Sequence, residues 1–223
     1  MMCGRFALTV SARVLGELFD VPEPAGLAPR YNIAPTQPVL VARSGEEGRE
    51  LVSVRWGLIP HWADDPSIGN RMINARGETV ASKPAFRSAV KHRRCLIPAD
   101  GFYEWKKVGA GKQPHLIRFA DRRAFAFAGL WERWRPRDGS APVDSCTIIT
   151  TTPNALVGKL HDRMPVILPT DAFEEWLRPE PLPSSRLEEI LIPYPDAEME
   201  AFAVSRQVNS PANDGPECIA PLP

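Results

Sequence analysis

The residues that offer the most chemistry stand at the amino end, in the segment Met1–Phe6 (Met-Met-Cys-Gly-Arg-Phe). A cysteine that becomes the first residue of a chain carries an α-amine and a thiol on adjacent carbons, with unperturbed pKa values of roughly 7.7–8.0 and 8.5. Such an amine condenses with an aldehyde to an imine, and the sulfur then adds to the same carbon and closes a five-membered thiazolidine ring. Gly4 leaves the backbone beside Cys3 uncrowded, and Arg5 offers a planar fork suited to phosphate. The alternative is a small residue in a first strand or in an unstructured tail.

Glu104 is the candidate proton-transfer residue. It lies in the segment Ala99–Trp105 (Ala-Asp-Gly-Phe-Tyr-Glu-Trp). If this segment is a strand, Tyr103 and Trp105 share one face and Glu104 points to the other. A carboxylate among large aromatic residues is partly desolvated, which raises its pKa toward neutrality and suits it to move protons. The alternative is an exposed glutamate on a solvated strand face.

His161 is the histidine with the most promising neighbours, because Asp162 and Arg163 follow it directly. Histidine holds or donates a proton near neutral pH, although a lone histidine is more often structural. Asn74 and Arg76 are two residues apart and would face the same side of an extended segment. Asparagine is a neutral donor and acceptor, and arginine grips phosphate with two hydrogen bonds. Turn formation and surface charge are the alternatives for this pair.

Two tryptophans could stack on unpaired bases, a contact worth about 1–3 kcal/mol per base in proteins that bind single strands. We assign Trp56 to the core and keep Trp62 as a candidate. The chain carries no net charge, but residues 1–107 hold 15 Lys and Arg against 11 Asp and Glu. A local basic surface in the first half is therefore conceivable, although charges scattered over the surface explain the counts better.

The elements that must position these residues are mostly strands. The sequence predicts an α+β fold: one β-rich domain over residues 1–223, with a strongly curved, mainly antiparallel, barrel-like sheet flanked by short helices. The tail, residues 204–223, either wraps the domain or is flexible. We predict strands at Val39–Arg43, Glu50–Trp56, Cys95–Ile97, Gly101–Lys106, His115–Phe119, Ala124–Leu130, Cys146–Thr151 and Pro165–Leu168. We predict helices at Ser11–Phe19, Lys83–Val90, Pro153–Leu160, Thr170–Leu177 and Ser184–Leu191.

Composition excludes several classes of protein. No apolar run reaches the roughly 18 residues of a membrane span, and the first residues do not read as a signal peptide. The four cysteines lie far apart without a CxxC pair, so we expect neither a metal site nor a disulfide framework. No cofactor is indicated, and a reducing cytoplasm is the expected location.

Several sequence segments, which follow one another in a fixed order across nearly the whole chain, resemble those of one protein family. The sequence resembles the SRAP family (SOS response-associated peptidase), the abasic-site-processing proteins. The end of the chain, Val208–Ile219, is also similar to that family. Seven segments carry the resemblance: Cys3–Phe6, Tyr31–Pro35, Trp56–Pro60, Asn74–Thr79, Arg94–Trp105, Phe127–Glu132 and His161–Val166.

The resemblance implies a covalent shield for abasic sites in single-stranded DNA, formed during the response to DNA damage. It implies that Cys3 forms a thiazolidine with the sugar aldehyde, a lyase-like crosslinking activity accompanied by self-processing. Glu104 would transfer protons, His161 would help to open the sugar ring, and Asn74 would position the reacting groups. Three arginines would hold backbone phosphates of the DNA: Arg5, Arg76 and Arg163. Two weaker assignments are Trp62, for base stacking, and Thr150, for a phosphate contact.

The chain departs from the family at its start, because two methionines precede Cys3 where one is usual. Either Met2 is the true start or processing removes both residues, and we favour the former. One alternative function is a cysteine peptidase with Cys3 as nucleophile, His161 as base and Asn74 as orienting residue. Another is a non-catalytic binder of single-stranded DNA. We expect a monomer that has no membrane partner and that associates with the nucleoid when engaged on DNA; replication-machinery partners are not identified by the sequence.

Overall fold

A computed structural model describes residues 3–223, and in this range thirteen strands and four short α-helices are connected by turns and 3₁₀ segments. The helices are α1 (Ala12–Phe19), α2 (Ala89–His92), α3 (Phe173–Leu177) and α4 (Ser184–Ile190). The strands are β1 (Phe6–Leu8), β2 (Arg30–Ile33), β3 (Pro38–Gly45), β4 (Gly48–Trp56), β5 (Asn74–Arg76), β6 (Arg94–Ala99), β7 (Gly101–Val108), β8 (Gly111–Phe119), β9 (Phe125–Trp134), β10 (Val143–Thr151), β11 (Met164–Pro165), β12 (Ile167–Leu168) and β13 (Met199–Ala203).

Five of these strands close into a barrel. The order is β10-β4-β3-β6-β9, and a further pairing between β10 and β9 completes the ring. Most of its neighbours are antiparallel, but β10 runs parallel to β4, with Cys146 opposite Trp56. Closure leaves no free edge within the ring, which protects these strands from pairing with other chains. The expected β-rich, barrel-like α+β fold is confirmed.

The second sheet, in the order β13-β8-β7-β1-β2, carries the start of the chain. All of its pairings are antiparallel. Strand β1 lies between β7 and β2, with Phe6 opposite Phe102 on one side and Ile33 on the other. This placement brings the residues just before β1 beside the middle of β7.

An aromatic cluster joins the two sheets. The ring of Phe6 packs edge-on against Trp56 and Phe127, with centroids 5.2 and 5.8 Å apart. Phe102 lies edge-on to Phe127 at 6.1 Å. Such pairs contribute about 0.5–1.5 kcal/mol each beyond the area they bury. They fix β1 against the barrel, and Trp56 is fully buried as predicted.

The tail wraps the domain. The side-chain amide of Asn32 donates to the carbonyl oxygens of Val208 (3.2 Å), Ser210 (2.9 Å) and Asn213 (2.6 Å). The carboxylate of Asp214 accepts from the backbone N–H groups of Tyr31 (2.6 Å) and Asn32 (2.8 Å). A fully buried asparagine that satisfies three carbonyls of one segment holds that segment firmly.

Several predicted elements need correction. The helix predicted at Lys83–Val90 is wrong: residues 81–88 form turns, and only Ala89–His92 is helical. In Pro153–Leu160 the structure has a single 3₁₀ turn, Val157–Lys159. Pro165–Leu168 is divided, because Met164–Pro165 pairs with β10 whereas Ile167–Leu168 pairs with β9. Within residues 3–223, no helix combines the length and the apolar character needed to span a bilayer.

Candidate active site around Cys3

The site is organised by a hydrogen bond from the start of the chain to β7. Cys3 is fully buried, and its backbone nitrogen donates to Oε1 of Glu104 at 2.9 Å. Its carbonyl oxygen accepts from the side-chain nitrogen of Asn74 at 3.3 Å. The structure therefore brings three of the four predicted catalytic residues into direct contact. The prediction that Cys3 becomes the first residue of the functional chain concerns Met1 and Met2, which lie outside the described range.

Glu104 lies in a desolvated position. Its side chain points away from the face shared by Tyr103 and Trp105, as the strand pattern predicts, and the residue is only 1% exposed. Burial raises the pKa of the Glu104 carboxyl to about 7, while the hydrogen bond from the Cys3 nitrogen acts in the opposite direction. The alternative of a solvated strand face is wrong. A carboxyl that titrates near neutrality can both accept and return a proton.

The thiol of Cys3 is held in its protonated form. Burial raises the pKa of this thiol well above its usual value, and the nearby Glu104 charge raises it further. Thiol chemistry at this position therefore needs a base close by. Glu104 is in contact with the same residue and can serve as that base.

A cavity of about 290 Å³ opens onto Glu104 and onto Gly4, the residue next to Cys3. Three of the lining residues, Trp105, Lys112 and Asn209, were not predicted as site residues. Lys112 and Asn209 come from β8 and the tail, which reach the site only in the folded chain. A larger depression of about 990 Å³ beside the β3–β4 hairpin has none of the predicted site residues in its lining. The smaller cavity is therefore the candidate active site. It is lined by Gly4, Arg5, Glu104, Trp105, Lys112, His161 and Asn209.

His161 faces this cavity from the loop before β11. The backbone N–H of Arg163 donates to its Nδ1 at 3.1 Å, and the exposed Asp162 carboxylate lies 2.9 Å from the same nitrogen. Burial lowers the pKa of His161, and Asp162 partly offsets this effect. The Arg163 N–H requires an unprotonated Nδ1 whereas the Asp162 carboxylate requires a protonated one, so the two contacts belong to different protonation states of the ring.

Asn74 and Arg76 lie on β5, which pairs in parallel with β10. Asn74 is half-buried, Arg76 is exposed and the intervening Ala75 is buried. The two polar side chains therefore share one side of the strand, as their spacing predicts. Arg76 stands opposite Thr150 in the register of the two strands.

Arg163 is anchored beside them. Its guanidinium binds both oxygens of Glu78 and donates to the carbonyl oxygen of Thr150 at 2.7 Å. This ion pair holds the pKa of Glu78 below its usual value. The Thr150 side chain is fully buried and its hydroxyl donates to the Ala75 carbonyl at 3.4 Å. A phosphate contact from that hydroxyl would require the side chain to become exposed.

The remaining predicted DNA-binding residues differ in their surroundings. Arg5 lines the cavity, but its Nη1 donates to Oδ1 of Asn32 at 2.6 Å and to the carbonyl of Val208. Burial lowers the pKa of Arg5. Trp62 is 50% exposed, on the loop after β4, and does not line the cavity. Across residues 3–223, no cluster of three or more His, Cys, Asp or Glu is arranged to hold a metal ion.

The sequence and the fold are similar to those of known proteins. Residues 2–211 match the family described as SOS response associated peptidase (SRAP). The chain is 46% identical to the abasic site processing protein YoqW of Bacillus subtilis over 98% of its own length and 99% of that protein. It is 34% identical to the abasic site processing protein YedK of Escherichia coli, covering 99% and 100% of the two chains. The crystal structure of a Bacteroides thetaiotaomicron protein superposes with a TM-score of 0.87 at 26% identity, covering 99% of this chain and 100% of that one.

Proposed function

Because the chain belongs to the SOS response-associated peptidase family, we propose that it captures abasic sites in single-stranded DNA through Cys3. The open-chain sugar at such a site presents a C1′ aldehyde. The observation that carries the proposal is the 2.9 Å contact between the Cys3 nitrogen and the buried Glu104 carboxylate. Once the preceding methionines are gone, this nitrogen is a primary amine with a proton acceptor and donor already in place.

The covalent steps balance with the loss of one water molecule. The neutral Cys3 amine attacks C1′ and forms a carbinolamine, which expels its hydroxyl as water and becomes an imine. The thiol then adds across the carbon–nitrogen double bond, so that sulfur bonds to C1′ and the thiol proton ends on nitrogen. The product is a thiazolidine that joins the protein to the sugar.

Glu104 serves these steps in sequence. As a carboxylate it takes a proton from the Cys3 ammonium and frees the attacking lone pair. As a carboxylic acid it returns a proton to the departing hydroxyl of the carbinolamine. The ammonium lowers the Glu104 pKa from the value of about 7 that applies when Cys3 is still an amide, which keeps the carboxylate available at neutral pH.

His161 and the arginines prepare the substrate. We assign to His161 the proton transfers that open the sugar ring, because its imidazole lines the same cavity as Glu104. Arg163 binds the Glu78 carboxylate and the charge of Arg76 also acts on it, so both guanidinium groups lie near Glu78. There they would hold backbone phosphates and place the lesion without reading the base sequence.

The peptidase alternative is less well supported. A cysteine peptidase needs a thiolate, which arises where cations or a helix end lower the thiol pKa. Here burial and Glu104 raise the pKa of Cys3. Asn74 donates to the Cys3 carbonyl at 3.3 Å, a contact that positions the backbone of Cys3.

The test compares two forms of the chain, one that begins at Cys3 and one that retains Met1 and Met2. Each is incubated with an abasic single-stranded oligonucleotide, followed by a denaturing gel and intact mass measurement. We expect an adduct only with the free cysteine, at the summed mass minus one water, and none after acetylation of its amine. An equal yield of adduct from the form with both methionines would exclude the thiazolidine. Salt-sensitive binding by either form without an adduct would favour the non-catalytic binder.

A further inference from the structure

The tail contributes one side chain to the cavity. Asn209 lies in the 3₁₀ turn Arg206–Asn209 and lines the cavity together with Glu104 and His161. The turn is held because the Val208 carbonyl accepts from both Arg5 and Asn32. A residue near the end of the chain thus lines the same cavity as Glu104, the residue that accepts from the Cys3 nitrogen.

Trp105 fixes which way the Asn209 amide faces. The indole Nε1 of Trp105 donates to Oδ1 of Asn209 at 2.8 Å. An indole N–H can only donate, so the amide oxygen must be the atom that faces it. The amide nitrogen, with its two N–H groups, therefore points away from Trp105. Asn209 is exposed, so these donors are accessible to a ligand that enters the cavity.

We propose that Asn209 is a lesion-binding residue whose side-chain NH₂ donates to an oxygen of the abasic nucleotide. This inference rests on the proposed capture of abasic sites. Two oxygens of that nucleotide have the required chemistry: a hydroxyl of the opened sugar and its flanking phosphate. A neutral amide suits both, since it donates without competing with the Cys3 amine for the aldehyde.

The isosteric variant Asn209→Asp separates the donor from the rest of the side chain. Aspartate keeps the acceptor for Trp105 and replaces the NH₂ group with a negatively charged oxygen. Ser210→Asp is the matched control, because it adds the same charge to the neighbouring exposed residue, outside the cavity lining. Asn209→Ala removes the donor without adding charge, and we expect it to weaken DNA binding as well.

All variants are prepared to begin at Cys3, and affinity is measured with undamaged single strands and with strands whose abasic site has been reduced to an alcohol. The reduced site cannot form the imine, so it reports binding alone. We expect Asn209→Asp to bind roughly tenfold more weakly than Ser210→Asp, the scale of one lost hydrogen bond, with a melting temperature equal to that of the parent. A loss confined to the reduced abasic strand assigns the contact to the sugar, and a loss on both strands assigns it to the phosphate.

Equal affinities for Asn209→Asp and Ser210→Asp on both strands would overturn the inference. The parent protein is run beside them with an unreduced abasic strand. If the parent forms no adduct, the proposed function fails on its own, whatever the binding of the variants. If the parent forms the adduct and the two variants bind alike, only the role of Asn209 is lost.

Discussion

The guanidinium of Arg163 is held by both oxygens of the Glu78 carboxylate, with Nη1–Oε1 and Nη2–Oε2 distances of 2.5 and 2.9 Å. The arginine side chain is 12% exposed and its partner 48%. A partly exposed pair of this kind adds little to stability. Its effect is to hold the guanidinium of Arg163 on Glu78, whose carboxylate also lies within reach of the Arg76 charge; in the proposed complex a DNA phosphate would compete with this carboxylate.

We therefore expect Glu78→Gln to strengthen non-covalent binding of single-stranded DNA several-fold, because a competing and repelling carboxylate is removed. Titration at two salt concentrations measures the change. Glu189→Gln is the matched control, since Glu189 pairs with Arg186 on α4 and does not line the cavity. Arg163→Met should act in the reverse direction and reduce the slope of log affinity against log salt by about 0.7, the value for one phosphate contact on a single strand. Unchanged slopes would remove Arg163 from the DNA-binding surface.

Glu104→Gln should slow adduct formation by at least about 100-fold, the lower range for loss of a general acid–base group. Glutamine keeps a hydrogen-bond acceptor for the Cys3 nitrogen but cannot take its proton. Single-turnover rates on abasic single strands measure the loss, and affinity for undamaged strands should stay within about twofold. Glu200→Gln on β13 controls for the lost charge, since Glu200 pairs with Arg118 outside the cavity. A parental rate in Glu104→Gln would contradict the assigned role.

The same substitution should change how stability depends on pH. In the chain that retains its methionines, burial raises the Glu104 pKa to about 7, from roughly 4.3 in an unfolded chain. Ionisation therefore opposes folding: the cost is absent below pH 4, grows between the two values and is complete above pH 7. The unfolding free energy of Glu104→Gln relative to the parent should rise across this window by about 3 kcal/mol. Denaturant titrations at pH 4 and 8 measure it, and a difference that is independent of pH would mean that Glu104 is solvated.

His161→Gln should slow the capture of abasic DNA yet leave the reaction with a small open-chain aldehyde unchanged, because only the sugar has a ring to open. Both rates are obtained by mass measurement with the chain that begins at Cys3. His92→Gln on α2 is the matched histidine control, since His92 is exposed, contacts the Pro179 carbonyl and does not line the cavity. Equal slowing with both aldehydes would place His161 in the thiazolidine chemistry itself.

The sequence predicts the barrel strands and the helices α1, α3 and α4 close to their observed positions, whereas the other two predicted helices are wrong. Glu50–Trp56 and Cys146–Thr151 are β-rich apolar runs whose strands are found where expected. The helix expected at Lys83–Val90 contains Pro84 and lacks the length that would let local preference decide. Strands β1, β2 and β13 have three to five residues and are set by their partners across the second sheet. Short segments of this kind carry too little periodicity to be recognised alone.

For the site, individual residues are predictable and their neighbours are not. The alternation around Glu104 predicts its desolvated face, and the spacing of Asn74 and Arg76 predicts their common side. Asn209 and Lys112 escape prediction because no local pattern links the tail or β8 to the start of the chain. The Glu78 partner of Arg163 is missed for the same reason, since 85 positions separate the two residues.

The wrapped tail has a consequence for how the protein is made. Arg5 and the Val208 carbonyl that it binds are 203 positions apart, and a ribosome releases the chain from its amino end. Cys3 therefore leaves the ribosome long before Glu104 and the tail that enclose it, and an aminothiol unmasked at that stage would meet metabolic aldehydes unprotected. If the cysteine amine is exposed only after translation is complete, the nucleophile stays unreacted until it meets the abasic site that we propose as its substrate.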